Sequence, residues 1–289
     1  MMNALTDPIN TSANRSIGAI LIDSGRLAPE AAERILKLQK ERGLRFGDAA
    51  IELGLLTEQD IQHALSHQYE YPYLMPGNDH VAEEVVAAFK PFSPVVEQLR
   101  ALRSQLMVRW FNADEGHNAL ALVGAGRGEG RSFTAANLAV VFSQLGERTL
   151  LIDADLRYPR QHELFRLTNK VGLSSLLAGR AELNDCITRI PGLIDLSVLP
   201  AGPIPPNPQE LLSRSAFGGF MDAVQSQYDV IIIDSPSGET ADCQAITART
   251  QGALIVARRD LSSAPKLQTL TSTLQHAGTI VVGAVLNNG

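Results

Sequence analysis

Hydrophobic and polar positions follow two different rhythms along this chain. From Ser16 to Gln68 the apolar residues recur with a period near 3.6, in the segment SIGAILIDSGRLAPEAAERILKLQ and, after KERGL, in RFGDAAIELGLLTEQDIQHALSHQ. Gly18 and Gly47, Gly25 and Gly54, and Gln39 and Gln68 each stand 29 residues apart, which marks an internal repeat. Each copy predicts a short apolar helix, a glycine stop at Gly25 or Gly54, and a second, amphipathic helix. In the second copy Thr57 precedes Glu58 and Asp60, and Ile61 and Leu65 share a face, as in a capped helix. Residues 16–75 therefore predict a small all-helical domain.

Residues 1–15 are polar and turn-rich, without an apolar period, and are expected to form a flexible tail. Pro72, Pro76, Gly77, Pro91 and Pro94 punctuate the stretch after the repeat, so residues 76–94 are expected to be a linker enclosing one short helix. A long helix follows, with Val95, Leu99, Leu102 and Leu106 on an apolar face and Arg100, Arg103 and Arg109 opposite. From there the rhythm changes. Short aliphatic runs, ALALVGA, TLLIDADL, DLSVLPAG, YDVIIIDSP, ALIVARR and TIVVGAVLN, alternate with helical stretches. Runs such as Val230–Ile233 lack strict alternation, as strands covered on both faces do. Residues 95–289 thus predict an α/β fold, a doubly wound, mainly parallel sheet.

Composition narrows the function classes. The chain has 289 residues, 45% of them hydrophobic and 19% charged, which excludes disordered and collagen-like chains. Lys plus Arg is 25 against 31 Asp plus Glu, a net charge of −6, so no nucleic-acid footprint is expected. Even Leu267–Gly289, which is free of charged residues, is too polar to span a bilayer. The N-terminal residues lack a basic, then apolar, signal pattern, and a cytoplasmic location is expected. Cys186 and Cys243 lack metal spacing and read as inert thiols of a reducing compartment, and the histidines show no ligand spacing.

The candidate chemistry follows the first aliphatic run. Gly126-Arg127-Gly128-Glu129-Gly130-Arg131-Ser132-Phe133 joins that strand to an Ala-rich helix. A glycine-rich turn at a helix N-terminus gathers backbone N–H groups where the helix dipole is positive, as di- and triphosphates require. The Walker pattern G-x-x-x-x-G-K-[ST] falls on Ala125, Gly130, Arg131 and Ser132, departing from it at Ala125 and Arg131. A glycine turn that merely packs a helix on a sheet would look similar. Two further strands end on carboxylates, Asp153 with Asp155, and Asp234. At the carboxyl ends of adjacent parallel strands these stand where magnesium needs oxygen ligands and a hydroxyl needs a base. Helix caps or turn residues are the plainer alternative.

These segments together resemble the bacterial tyrosine kinases, or BY-kinases, relatives of the deviant-Walker ATPases MinD and ParA. The resemblance rests on GEG (Gly128–Gly130), IDADLR (Ile152–Arg157), IIIDSP (Ile231–Pro236), NPQELL (Asn207–Leu212) and E-x-x-R-x-x-R at Glu97, Arg100 and Arg103. It covers roughly Glu97 to the C-terminus and is nearest the EpsG-like branch, whose members are encoded apart from a membrane-spanning chain-length partner. It implies ATP or ADP and magnesium as ligands, with Gly126, Arg127, Gly128, Glu129, Gly130, Arg131, Ser132 and Phe133 around the phosphates. It implies catalytic roles for Asp153, Asp155 and Arg131, and metal roles for Ser132, Asp153 and Asp234. Glu97, Arg100 and Arg103 would dock on a neighbouring subunit of a homo-oligomer. The membrane partner would recruit the chain to the inner face of the membrane for exopolysaccharide export.

Two departures bear on activity. Arg131 brings a wide planar fork where the family has a compact lysine charge. The five tyrosines, Tyr69, Tyr71, Tyr73, Tyr158 and Tyr228, form no C-terminal cluster of the kind these kinases phosphorylate. Tyr69, Tyr71 and Tyr73 are expected to pack the small domain closed. Arg157 and Arg160 are expected to face nucleotide, a neighbouring subunit or solvent.

The helical repeat resembles the MshEN-type N-terminal domain of secretion and pilus ATPases, whose tandem motifs bind cyclic di-GMP. That resemblance implies Gly18, Gly25, Arg45, Gly47 and Gly54 as contacts for it, although Ser16 stands where the first copy would carry arginine. Docking to a partner is the other expectation for this domain. For the whole chain three functions stay open: a tyrosine kinase, a nucleotide-switched assembly ATPase without phosphotyrosine, and a cyclic di-GMP-responsive regulator on a degenerate P-loop.

Overall fold

The computed structural model describes residues 16–68, 73–75, 77–111, 116–193 and 195–288. The expected tail at 1–15 lies outside them, as do Tyr69 and Tyr71. The chain divides into two compact units, Met1–Pro72 and Tyr73–Gly289.

The first unit contains α1 (Ile17–Asp23), α2 (Pro29–Arg42), α3 (Phe46–Glu52) and α4 (Glu58–Gln68). The repeat is structural down to single hydrogen bonds. Gly25 N–H donates to Ile22 O and Gly54 N–H to Ile51 O, both at 2.9 Å, and both glycines are left-handed. Thr57 and Asp60 cap α4 reciprocally, Thr57 N donating to Asp60 Oδ2 at 2.9 Å and Asp60 N to Thr57 Oγ1 at 3.2 Å. Packing crosses the copies, with α1 against α4 and α2 against α3, around Leu21, Leu27, Ile35, Ala49, Ala50, Leu56 and Ala64.

The second unit begins before the long helix. Residues 77–93, within the expected linker, are instead part of the α/β core, and only α5 (Val86–Phe89) is helical within them. Val81, Val85, Ala87 and Ala88 are buried. Ala87 N–H donates to Asn137 Oδ1 at 2.8 Å, and Gln144 Nε2 donates to Ala87 O at 3.0 Å. Pro91 is buried in a turn that the core covers, and the apolar residues before it decide burial.

Next come α6 (Pro94–Arg109), β1 (Ala119–Val123), α7 (Arg131–Ser143) and β2 (Thr149–Asp153). Short helices α8 (Gln161–Leu164), α9 (Leu173–Leu177) and α10 (Leu183–Cys186) lead to β3 (Thr188–Arg189) and β4 (Leu196–Leu199). The remainder is α11 (Pro208–Ser213), α12 (Ser215–Gln225), β5 (Val230–Asp234), α13 (Ala241–Thr250), β6 (Gly252–Arg258), α14 (Ala264–His276) and β7 (Ile280–Asn287). The sheet order is β3-β4-β2-β5-β1-β6-β7, parallel throughout except for β3 against β4. One core lies under α6 and α7, the other under α9 and α11 to α14. β1 is flanked by β5 and β6, so the chain reverses its winding there and leaves a crevice at the strands' carboxyl ends. On α6 it is Val96, with Leu99 and Leu106, that faces the core, and Val95 is exposed. Cys186 and Cys243 are buried free thiols, and burial pushes Cys243 up to about 11.

Trp110, the chain's single tryptophan, donates its indole N–H to Ala119 O at 2.9 Å and lies against Gly252. A Cβ on Gly252 would stand 2.1 Å from the indole. Gly252→Ala is therefore expected to overpack this corner and cost about 1–3 kcal/mol, read from the denaturation midpoint of Trp110 fluorescence. A midpoint equal to the parent's would refute the close packing.

Candidate functional site

The crevice is built where β1 hands over to α7. Gly130 is the N-cap of α7 at φ 94, and a Cβ there would stand 2.1 Å from Asn287 Nδ2. The left-handed backbone thus favours glycine, and any side chain there would displace the Asn287 amide. A cavity of about 360 Å³ opens above the loop, lined by Arg127 to Phe133 together with Glu84, Asp155, Tyr158, Arg160, Arg258 and Asn287.

Within the loop, Glu129 points inward. It is 2% exposed, accepts Gly126 N–H at 3.0 Å and the Ser262 hydroxyl at 2.5 Å, and so ties the loop to the segment after β6. Arg258 Nη1 adds a bond to Gly128 O at 3.2 Å. Arg131 also turns inward. Its Nε donates to Ser235 O at 3.0 Å, its Nη1 to Gly126 O, and Nη1 lies 3.9 Å from Glu129 Oε2. The residue at the Walker lysine position is thus anchored to the protein's own carbonyls.

Beside the loop, β2 and β5 run in register, pairing Asp153 with Asp234. Asp153 is fully buried. It accepts the N–H groups of Asp155 (3.3 Å), Arg160 (2.9 Å) and Gln161 (2.8 Å). Burial, and then the neighbouring Asp234 charge, hold it well above the ordinary carboxylate range. Burial also pushes Asp234 up to about 6, against the opposing pull of the Ser132 and Gln161 side chains. Asp155, in contrast, lines the cavity and accepts the N–H groups of Arg157 and Tyr158.

Asp234 Oδ2 accepts Gln161 Nε2 at 2.8 Å, whereas its Oδ1 is buried with no hydrogen-bond partner among the described residues. An orphaned carboxylate oxygen beside the half-buried Ser132 fits a hydrated magnesium ion, because hard cations take oxygen ligands. Gln161 escaped the sequence reading, as did Ser262 and Tyr158; Gln161 opens α8 and the other two sit on loops, and the approach of all three depends on chain folding. Arg157 and Arg160 are drawn sideways, Arg157 to buried Asp242 at 2.6 Å and Arg160 to Glu84 at 2.9 Å.

The remaining candidates lie elsewhere. Glu97 is exposed and pairs with Arg100 on α6, while Arg103 Nη1 donates to Val141 O at 2.8 Å, on the α7 side of the helix. In the helical unit Gly18 lies against the Phe46 ring and Gly47 against Ile61, Gly25 and Gly54 make the turns, and Arg45 is the exposed N-cap of α3. Packing and turn geometry thus account for the four glycines. Tyr73 is half-buried.

Comparison with known proteins adds to this geometry. A family model described as an AAA domain matches residues 119–279, inside the α/β unit. The putative tyrosine-protein kinase CapB of Staphylococcus aureus is 36% identical over 201 residues, covering 68% of this chain and 86% of CapB. The tyrosine-protein kinase Etk of Escherichia coli K12 is 36% identical over 203 residues, 70% of this chain but 28% of Etk. The crystal structure of the chimerical protein CapA2B2 superposes with a TM-score of 0.67 at 33% identity, covering 78% of this chain and 97% of the chimera.

Proposed function

Because this chain belongs to the bacterial tyrosine kinase family, on an AAA-type P-loop domain, we propose that it binds Mg-ATP in the 126–132 loop and passes the γ-phosphoryl group to a tyrosine. The observation that carries this reading is a cavity lined by the loop, Ser132 and Asp155, next to the buried pair Asp153 and Asp234 that ends β2 and β5 in register. Backbone N–H groups of the loop and the N-terminus of α7 hold the phosphates, and Ser132 with Asp234 holds magnesium. Bound there, the ion would supply charge neutralisation on the phosphate oxygens. Asp155, the carboxylate lining the cavity, accepts the tyrosine proton while the bond from phosphorus to the tyrosine oxygen forms and the bond to the ADP oxygen breaks. Asp153 orders the loop that carries Asp155 through its backbone bonds.

The target tyrosine is proposed to lie on a separate membrane-spanning chain-length protein for capsule or exopolysaccharide. The name of the CapA2B2 chimera, which joins two proteins, supports a partner chain. That partner would hold the chain at the cytoplasmic face, and Glu97 and Arg100 would contribute to self-association. The inward anchoring of Arg131 favours a second reading, a nucleotide-switched assembly ATPase. Incubation of the folded chain with γ-labelled ATP, magnesium and the partner's cytoplasmic segment is expected to label tyrosine. Inorganic phosphate alone would select the switch, and absence of Mg-dependent nucleotide binding would overturn both.

A further inference from the structure

Phosphate recognition at a P-loop needs a side-chain cation as well as backbone amides. In this chain the arginine at the lysine position is turned inward, with two of its donors spent on the protein's own carbonyls. Arg131 is buried, and its Nε and Nη1 donate to the carbonyl oxygens of Ser235 and Gly126, beside the Glu129 carboxylate.

Four positions earlier, Arg127 is exposed and lines the cavity. Its guanidinium carbon lies 3.5 Å above the centroid of the Tyr158 ring, which lines the same cavity. A ring face engages the planar cation without taking its N–H donors, so these stay available to oxyanions. The other arginines around the cavity are held differently. Arg160 pairs with Glu84 and Glu163, and Arg258 donates to Gly128 O.

The backbone that carries the ring is itself held. Tyr158 N–H donates to Asp155 Oδ1 at 2.9 Å, and the adjacent Arg157 pairs with Asp242 at 2.6 Å. Fixing the backbone beneath a stacked cation reduces the ordering cost when phosphate arrives.

We infer that Arg127, held on the face of Tyr158, is the cation that meets the nucleotide phosphates, and that Arg131 is a brace for the loop. This rests on the nucleotide-binding reading of the same cavity. Tyr158 is accordingly a positioning residue, acting through its ring rather than its hydroxyl.

Calorimetric titration of the full chain with Mg-ATP at two salt concentrations tests the inference. Arg127→Gln is expected to weaken binding about tenfold or more and to flatten its salt dependence. Tyr158→Ala is expected to weaken it roughly three- to tenfold, and Tyr158→Phe, which restores the ring, to return it to within about twofold of the parent. Thermal melts confirm that each variant is folded; Tyr158 is 54% exposed, so its replacement should leave the midpoint in place. Parent-like binding by Arg127→Gln, or equal binding by the two Tyr158 variants, would overturn the assignment while nucleotide binding stands. Failure of the folded parent to bind Mg-ATP at all would remove the nucleotide-binding reading and this inference with it.

Discussion

Arg131→Met is expected to destabilise the α/β unit by roughly 3 kcal/mol, near the low end for breaking a buried charge pair. Methionine fills similar space but leaves Ser235 O and Gly126 O without the donors they now have, and leaves the Glu129 carboxylate without its neighbouring cation. The buried carboxylate is the larger part of the cost. Glu129→Gln in the same chain should recover part of the loss, since an amide can still bond to Gly126 N–H and Ser262 without carrying charge. A double-mutant cycle by urea denaturation should therefore return a coupling above about 1 kcal/mol. Arg131→Met within 1 kcal/mol of the parent would show that the arginine braces nothing.

The second large effect sets stability against chemistry. Asp234→Asn should reduce Mg-dependent phosphoryl transfer or hydrolysis about a hundredfold or more, because the orphaned Oδ1 is the oxygen offered to the ion. The same variant should be more stable than the parent at pH 7.5. The carboxyl ionises near 6 in the folded chain against an ordinary 3.8, so the native state binds its proton more tightly than the unfolded state. Stability thus falls as pH rises from about 4 to about 6, by about 1.4 kcal/mol per pH unit, and is flat above that for this group. Asparagine removes that slope and should gain of the order of 2 kcal/mol at neutral pH. Melting temperatures from pH 4 to 8 measure it. An Asn variant as pH-dependent as the parent, or fully active, would contradict the arrangement.

Much of the fold can be read from residue pattern, for a physical reason. Parallel strands covered on both faces must be nearly all aliphatic, so VIIID and TLLID stand out, and their terminal carboxylates place Asp153 and Asp234 at one edge of the sheet. The helical repeat is equally visible, since its glycines recur in register and make matching turns. Residues 77–93 were not legible, because proline and glycine punctuate a packed turn and an open linker alike. Nor was the phase of α6, where adjacent Val95 and Val96 satisfy the helical period almost equally well and only the position of α7 selects Val96. The inward course of Arg131 was hidden for another reason: its partner, the Ser235 carbonyl, is 104 residues away and belongs to the backbone, which carries no residue-specific signal. The stack of Arg127 on Tyr158 likewise joins two loops that only the sheet order brings together.

The crossed packing of the helical unit separates two notions of a repeat. Sequence duplication defines copies as 16–39 and 45–68, yet α1 rests on α4 and α2 on α3, so each copy supplies half of an interior it cannot close alone. The inherited unit and the cooperative unit are therefore different objects. Divergence in one copy is constrained by what faces it from the other: the ring of Phe46 opposes Gly18 and disfavours any larger side chain there, whichever ligand or partner the surface has come to serve.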